Sequence, residues 1–263
     1  MGQRALMRPI FRVTDSQVAV SPDAAGPWDP TMQHGSAPSA LAVWAAERIP
    51  TKSPMRIARV TIDLMRPVPL AQLDVETEVL REGRKIQLCA VRLRAGNTVV
   101  VTATVLKIRQ DAVPLPDDVH ELPVDLAGPD QAQPEPADFS TSPFVRGMTL
   151  RAARGRFGVR GPGAIWYRVD WPLVEGHAVS QAMRAVVASD FCNGTSAALD
   201  FHSYTFLNAD LTVNMAREPV GDWILLDAES WIGPDGAGLA MARLGDAKGY
   251  FGRVVQSLVI EKR

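Results

Sequence analysis

The sequence predicts an α+β chain made of two copies of one unit, each a long buried helix followed by a curved antiparallel β-sheet that wraps it. Three observations carry this reading: a Pro-rich, acidic segment near the middle, a strand pattern that recurs on either side of it, and an apolar helix-like run ahead of each copy.

Residues 111–142 read DAVPLPDDVHELPVDLAGPDQAQPEPADFSTS. Proline at this density removes backbone donors and breaks helices, and Asp and Glu without any Lys or Arg build no core. The segment reads as a linker over the surface. It divides the chain into an N-terminal repeat at 1–110 and a C-terminal repeat at 143–263. A chain of 263 residues is long enough for two small units that each bury a core.

The halves resemble each other. Residues 60–108 open VTIDLMRPV and residues 211–260 open LTVNMAREPV, an apolar-alternating strand that leads to Arg66 or Arg217 with Pro67 or Pro219 close behind. Three more strand-like runs follow in each copy. They are separated by turn signals at Glu82-Gly83 and Gly96-Asn97, and at Pro234-Asp235-Gly236 and Lys248-Gly249. Period-2 alternation in LDVETEVL and VVQSLVIE marks strands with one buried face.

A helix-like segment precedes each strand block. Gly35-Ser36-Ala37-Pro38 leads into SALAVWAAERI, with Ser36 as a candidate cap and Pro38 in the first turn. EGHAVSQAMRAVVASD is the counterpart in the second half. Both are apolar nearly all the way round, which predicts burial. A buried helix wrapped by a curved antiparallel sheet describes the hotdog fold, and two tandem repeats in one chain make a double hotdog.

Composition narrows the function classes. Hydrophobic residues make up 46%, charged residues 22%, and the formal net charge is −1, so neither nucleic acid nor an anionic membrane is an expected partner. No apolar run reaches the roughly 18 residues of a membrane span. MGQRALMRPIF lacks the apolar core of a signal peptide, and Leu6 spoils the myristoylation pattern begun by Met1-Gly2. Cys89 and Cys192 are far apart and read as buried free thiols in a reducing, cytoplasmic setting. The histidines form no metal-binding motif, so neither a metal nor another cofactor is expected.

Three stretches then carry a family resemblance: GPWDPTMQHGSAPSALAVWAAER (26–48), SDFCNGTSAALDF (189–201), and LNADLTVNMAREPVGDWILLDAESW (207–231) running on to GRVVQSLVIEK (252–262). Together they resemble the TesB-like acyl-CoA thioesterases over nearly the whole chain apart from the linker. The resemblance implies a catalytic trio: an Asp at the end of the second buried helix, a Thr or Ser before the second copy's first strand, and a Gln on the last strand. Those positions fall on Asp190, Asn208 and Gln256. Asn208 departs from the family's hydroxyl, and Ser36 replaces the second Gly of the family's HGG segment.

The chemistry suits these residues. Thioester hydrolysis needs an activated water and donors for the developing oxyanion. Asp190, at the negative end of a helix dipole, is expected to be easier to protonate than in water and so poised as a base. Asn208 and Gln256 would orient the water. Backbone N–H groups at His34-Gly35-Ser36 are the expected oxyanion donors, and Trp28 a candidate for the acyl tunnel. Each residue also has a structural reading: a turn cap for Asp190, a turn residue for Asn208, a hydrogen-bonded helix start for His34. The other Trp residues read mostly as core. Arg66 and Arg217 read as phosphate ligands or, given their repetition, as structural.

The expected activity is therefore hydrolysis of a fatty acyl-CoA to free acid and CoA. Two alternatives on the same fold stay open. One is a non-catalytic acyl-CoA-binding protein. The other is an enoyl-CoA hydratase, although its YxxxSGDxNPxH-like segment is absent. Hotdog sheets expose edge strands, so a homo-oligomer, dimer or higher, is expected.

Overall fold

The computed structural model describes residues 7–119, 122–136 and 142–263. The reading of Met1-Gly2 and of Leu6, and parts of the 111–142 segment, lie outside the described residues. The strands of the first half are β1 (Phe11–Thr14), β2 (Gln17–Val20), β3 (Met55–Leu64), β4 (Leu73–Glu82), β5 (Ile86–Ala95) and β6 (Thr98–Arg109), with helix α1 at Ser36–Glu47. A two-residue strand β7 (Gln133–Pro134) follows. Then come β8 (Met148–Arg154), β9 (Gly163–Val169), helices α2 (Gln181–Ser189) and α3 (Cys192–Thr195), and β10 (Tyr204–Asn208), β11 (Asp210–Met215), β12 (Trp223–Ile232), β13 (Ala237–Asp246) and β14 (Gly249–Lys262).

The alternation seen in sequence sets which face each strand buries. Along β14, Val254, Gln256 and Leu258 point inward, while Val255 and Val259 are exposed. One antiparallel sheet runs in the order β1-β2-β4-β5-β6-β3-β11-β14-β13-β12-β9-β8-β7, with β10 also paired to β14. Its centre is the β3–β11 junction, where Thr61 lies opposite Thr212. The offset that superposes Arg66 on Arg217 superposes Thr61 on Thr212, so an approximate two-fold axis passes between these two residues. Outward from it, β6, β5, β4 and β14, β13, β12 follow in matching order. The sequence repeat is thus a structural repeat about this axis.

Inside the curved sheet, α1 and α2 pack on each other and share one core with both halves. Every residue of α1 from Ser36 to Ala46 is buried. Its alanines (Ala37, Ala40, Ala42, Ala45, Ala46) let neighbours approach closely, and Leu41, fully buried, contributes about 1.5–3 kcal/mol on its own.

The second helix corrects two expectations. Glu175–Ser180 are not helical: Gly176 has φ 73°, and Ser180 is extended and accepts the Met183 N–H with its hydroxyl. The helix therefore has nine residues against twelve in α1, and Gln181 and Arg184 interrupt its apolar face. Ser36 does not cap α1 either, because Gly35 holds the N-cap position. Trp231, expected in the core, is 58% exposed.

The 111–142 segment also does more than span a gap. Leu122 bridges Tyr250, the Trp166 indole donates to Ala127 O, and β7 pairs with β8 as an edge strand.

Candidate active site

The site forms at one end of the antiparallel pair of helices. The N-terminus of α1 faces the C-terminus of α2, which places Gly35 and Ser36 beside Asp190. Asp190 is the C-cap of α2, its backbone N–H held by Val186 O and Ala188 O. Ser36 Oγ lies 3.0 Å from Asp190 Oδ2 and 3.1 Å from Val187 O, so this hydroxyl ties the helices together. A Cβ on Gly35 would lie 2.7 and 2.9 Å from the two carboxylate oxygens. Since Gly35 has an ordinary helical φ of −54°, glycine is needed there for space and not for conformational freedom.

Two further side chains reach the same carboxylate. Asn208, the last residue of β10, donates from Nδ2 to Asp190 Oδ1 at 2.9 Å. His34 Nδ1 lies 3.1 Å from Oδ2. The His34 ring is held between Phe144 and Phe191, with centroid distances of 5.1 and 4.7 Å. All three side-chain contacts converge on one buried acid.

Gln256 approaches from behind. Its Nε2 donates to Asp190 O at 3.2 Å and to Ser189 O at 3.4 Å, and its Oε1 accepts the Asn193 N–H at 3.3 Å. The whole side chain is buried and fastens the α2–α3 corner. Neither Gln256 nor Ser36 lines the cavity described below, and the Gln256 amide is bonded to the backbone of Ser189, Asp190 and Asn193.

The electrostatics correct one expectation. Burial pushes the Asp190 carboxyl up, but hydrogen bonding and charge from His34, then the bonds from Asn208 and Ser36, outweigh it. The carboxyl is held below its ordinary range. The α2 dipole alone would have favoured the protonated form. The positive end of α1 faces the same carboxylate and opposes it. Cys192, two residues on, is no nucleophile: burial pushes its thiol far up, and Asp190's charge adds to the effect.

In front of Asp190 a cavity of about 1000 Å³ opens. His34, Gly35, Asp190 and Asn208 line it, together with Phe157 and Phe191. Trp28 also lines it, stacked on Phe201 at 5.9 Å and edge-on to Phe206 at 5.9 Å. Of the seven residues singled out from sequence, five line this cavity and two lie behind it. The phenylalanines were not foreseen as site residues. Phe191 and Phe201 sit within the quoted SDFCNGTSAALDF stretch, while Phe144 and Phe157 carry no local signal. The two repeated arginines diverge. Arg66 lines the cavity, whereas Arg217 is bonded to Asp246 and Gly249 O.

The same chain matches two family models, the N-terminal domain of acyl-CoA thioesterases over residues 24–108 and their C-terminal domain over residues 116–260. The chain belongs to the acyl-CoA thioesterase family. It is a thioester hydrolase. No curated protein matches the sequence. Among solved structures, a Novosphingobium aromaticivorans protein provisionally called a thioesterase is 20% identical, with TM-score 0.72 and coverage of 96% of this chain and 98% of that one. A hot dog fold protein of unknown function from Alicyclobacillus acidocaldarius is 16% identical, with TM-score 0.72 and 95% of each chain covered. The tesB protein of Mycobacterium avium subspecies paratuberculosis is 19% identical, with TM-score 0.68 and 95% of each chain covered. These likenesses speak for the hotdog fold.

The thioesterase has a second pole, related to the first by the axis at Thr61 and Thr212. There Glu47 ends α1 and bonds Ser180 at the start of α2, as Asp190 bonds Ser36. Under the repeat offset, Ile57 stands in place of Asn208 and Val105 in place of Gln256. The space lined by Glu47, Ile57 and Lys107 is about 150 Å³. The amides are gone from this pole, and so is the room for a substrate.

Proposed function

We propose that this thioesterase hydrolyses fatty acyl-CoA to free acid and CoA at the Asp190 end of the large cavity, with water as the nucleophile. The observation that carries the reading is the convergence of His34, Ser36 and Asn208 on the buried Asp190 carboxylate beside a largely apolar cavity. Water bound there meets a carboxylate-anchored network on one side. On the other, the Gly35 N–H, which has no acceptor among the described residues, faces the position of the thioester carbonyl oxygen. Trp28, Phe157, Phe201 and Leu207 supply an apolar wall for the acyl chain. Asn208 does through its amide what a hydroxyl does in the family pattern, and Gln256 keeps the α2 end in place.

In this reading the chain is a double hotdog of two tandem repeats, 1–110 and 143–263, joined by 111–142. It works in the cytoplasm as a homo-oligomer. Only the pole with Asp190, Asn208 and Gln256 is catalytic.

The test is free-thiol release from short-, medium- and long-chain acyl-CoAs by wild type, Asp190→Asn and Asn208→Ala. Release by wild type that both substitutions abolish is the expected result. A wild type that binds acyl-CoA but releases no thiol makes the protein an acyl-CoA binder and ends the hydrolase mechanism.

A further inference from the structure

We propose that Phe157 sets the length of acyl chain this thioesterase accepts, and that Glu135, in the 111–142 segment, is the positioning residue that holds it. This deepens the hydrolytic reading above and rests on it.

Phe157 reaches the cavity on a loop that the two repeats do not share. In the C-terminal repeat, β8 and β9 are joined by residues 155–162, GRFGVRGP. In the N-terminal repeat the matching strands are β1 and β2, since β2 pairs with β4 as β9 pairs with β12. Asp15 and Ser16 alone join them. The longer loop puts Phe157 and Gly158 into the wall of the large cavity, whereas no residue from 11 to 20 lines the small space at the opposite pole. The extra residues belong to the pole that has room for a substrate.

The ring of Phe157 is wedged. A Cβ added to Gly194, in α3, would lie 2.5 Å from both Cε2 and Cζ of Phe157, so the missing side chain at 194 is what lets the ring lie against α3. Phe191 meets it edge-on, with ring centroids 6.1 Å apart. Gly194 and Phe191 line the cavity as well. A ring seated between a helix backbone and a second aromatic ring yields only by disturbing close packing, which is costly.

The loop is also pinned on two sides. The Gly158 N–H donates to Gly194 O at 2.8 Å and the Gly161 N–H to Ala197 O at 2.9 Å, tying it to the end of α3. From the other side, Glu135 Oε1 accepts the Phe157 N–H at 3.0 Å, and Oε2 accepts from Arg156 at 3.3 Å. Arg156 also donates to Gln133 Oε1 at 3.0 Å. The Glu135 side chain is 3% exposed, so it is a buried carboxylate with charge-assisted bonds and not a solvated surface charge. The acidic, Pro-rich segment thus fixes the backbone at Phe157 itself.

A length limit follows from burial. Each methylene withdrawn from water is worth about fourfold in binding. That gain continues until the tail of the chain meets Phe157, and the next methylene must then unseat the ring. The kcat/KM should rise with chain length to an optimum and fall beyond it.

The test is thiol release from saturated acyl-CoAs of increasing length by the full chain carrying Phe157→Ala, Phe157→Leu or Phe157→Trp, beside wild type and Val159→Ala. Val159 lies in the same loop, is 57% exposed and does not line the cavity, so it reports what a loop substitution does by itself. The optimum should move to longer chains in Phe157→Leu, further in Phe157→Ala, and to shorter chains in Phe157→Trp, while Val159→Ala keeps that of wild type. For a chain two methylenes past the wild-type optimum, Phe157→Ala should raise the relative kcat/KM by about tenfold. Glu135→Ala should broaden the preference toward long chains, and Glu135→Gln, which keeps an oxygen for the Phe157 N–H, should restore it. An optimum that stays in place from Ala to Trp overturns the proposal, as does a wild type whose kcat/KM never falls with length. A Glu135→Ala profile identical to that of wild type overturns the positioning role. Should Phe157→Ala fail to fold, Phe157→Leu and Phe157→Trp decide. A wild type that releases thiol with an optimum the series does not move sinks this inference alone. A wild type that releases none sinks the hydrolytic reading, and calorimetric affinities of the same acyl-CoAs for wild type, Phe157→Leu and Phe157→Trp then decide whether Phe157 limits length.

Discussion

Replacing Gly35 by alanine tests the junction of the two helices with a single methyl group. Alanine fits the backbone, since φ is −54° and ψ −30°, so the whole effect comes from the collision with Asp190. The new Cβ would start 2.7 Å from Oδ1, and the carboxylate must retreat until the contact reaches at least 3.4 Å. Overpacking of this kind costs about 1–3 kcal/mol. The retreat also pulls on the bonds from Asn208, Ser36 and His34, which are 2.9, 3.0 and 3.1 Å long. Losing one bond to a buried charge adds about 1.5–3 kcal/mol. A reacting group displaced by an ångström costs on the order of 10²-fold in rate. Urea unfolding followed by tryptophan fluorescence should show a lower midpoint with an unchanged slope, and thiol release should fall about a hundredfold. If Gly35→Ala keeps both the midpoint and the rate of wild type, the carboxylate does not sit against the start of α1 and the geometry argued here is wrong.

Three further outcomes follow from the same network. Gln256→Leu leaves Ser189 O, Asp190 O and the Asn193 N–H without their buried partner, costing about 1–3 kcal/mol. It should lower kcat with KM little changed, because the side chain lies behind the cavity; a raised KM at constant kcat contradicts that placement. Asp190, held below its ordinary range when folded, makes the folded chain bind fewer protons than the unfolded chain near pH 4. Its contribution is thus complete above about pH 5 and lost as pH falls through the folded value. Asp190→Asn should therefore reduce the slope of melting temperature against pH between about 3 and 6, and an unaltered slope speaks against an ionised Asp190. Arg217→Ala strands the buried Asp246 carboxylate and should cost about 3–5 kcal/mol in thermal unfolding. Arg66→Ala should stay within about 0.5 kcal/mol and act on KM instead; equal effects from the two contradict their division of roles.

The fold was legible where local physics acts alone. Alternation along β14 and the turns at Gly96-Asn97 and Pro234-Asp235-Gly236 are short-range signals, and the turns fall between β5 and β6 and between β12 and β13. The strands β1, β2, β8 and β9 went unread because their apolar runs are short, and β2 and β9 also pair with the distant β4 and β12. The start of α2 was overrun for a different reason. Glu175–Ser180 has helix-compatible residues, but Gly176 turns left-handed and Ser180 extends to cap.

Most of the site was legible only through resemblance. Asp190, Asn208 and Gln256 have no common spacing, and their meeting depends on two helix ends and two strands. Within the site, the direction of Asp190's shift was misjudged because sequence shows the helix a carboxylate ends but not the one it faces. The aromatic clamp on His34 combines Phe144 and Phe191, two residues that nothing in the sequence connects.

The most direct test of the account is single-turnover thiol release from a medium-chain acyl-CoA, wild type beside Asp190→Asn, after tryptophan fluorescence has established that both bind it. The account predicts equal binding within a few-fold and a thiol burst from wild type that Asp190→Asn lacks. A burst of the same rate and amplitude from Asp190→Asn would contradict it and move the chemistry away from the junction of α1 and α2.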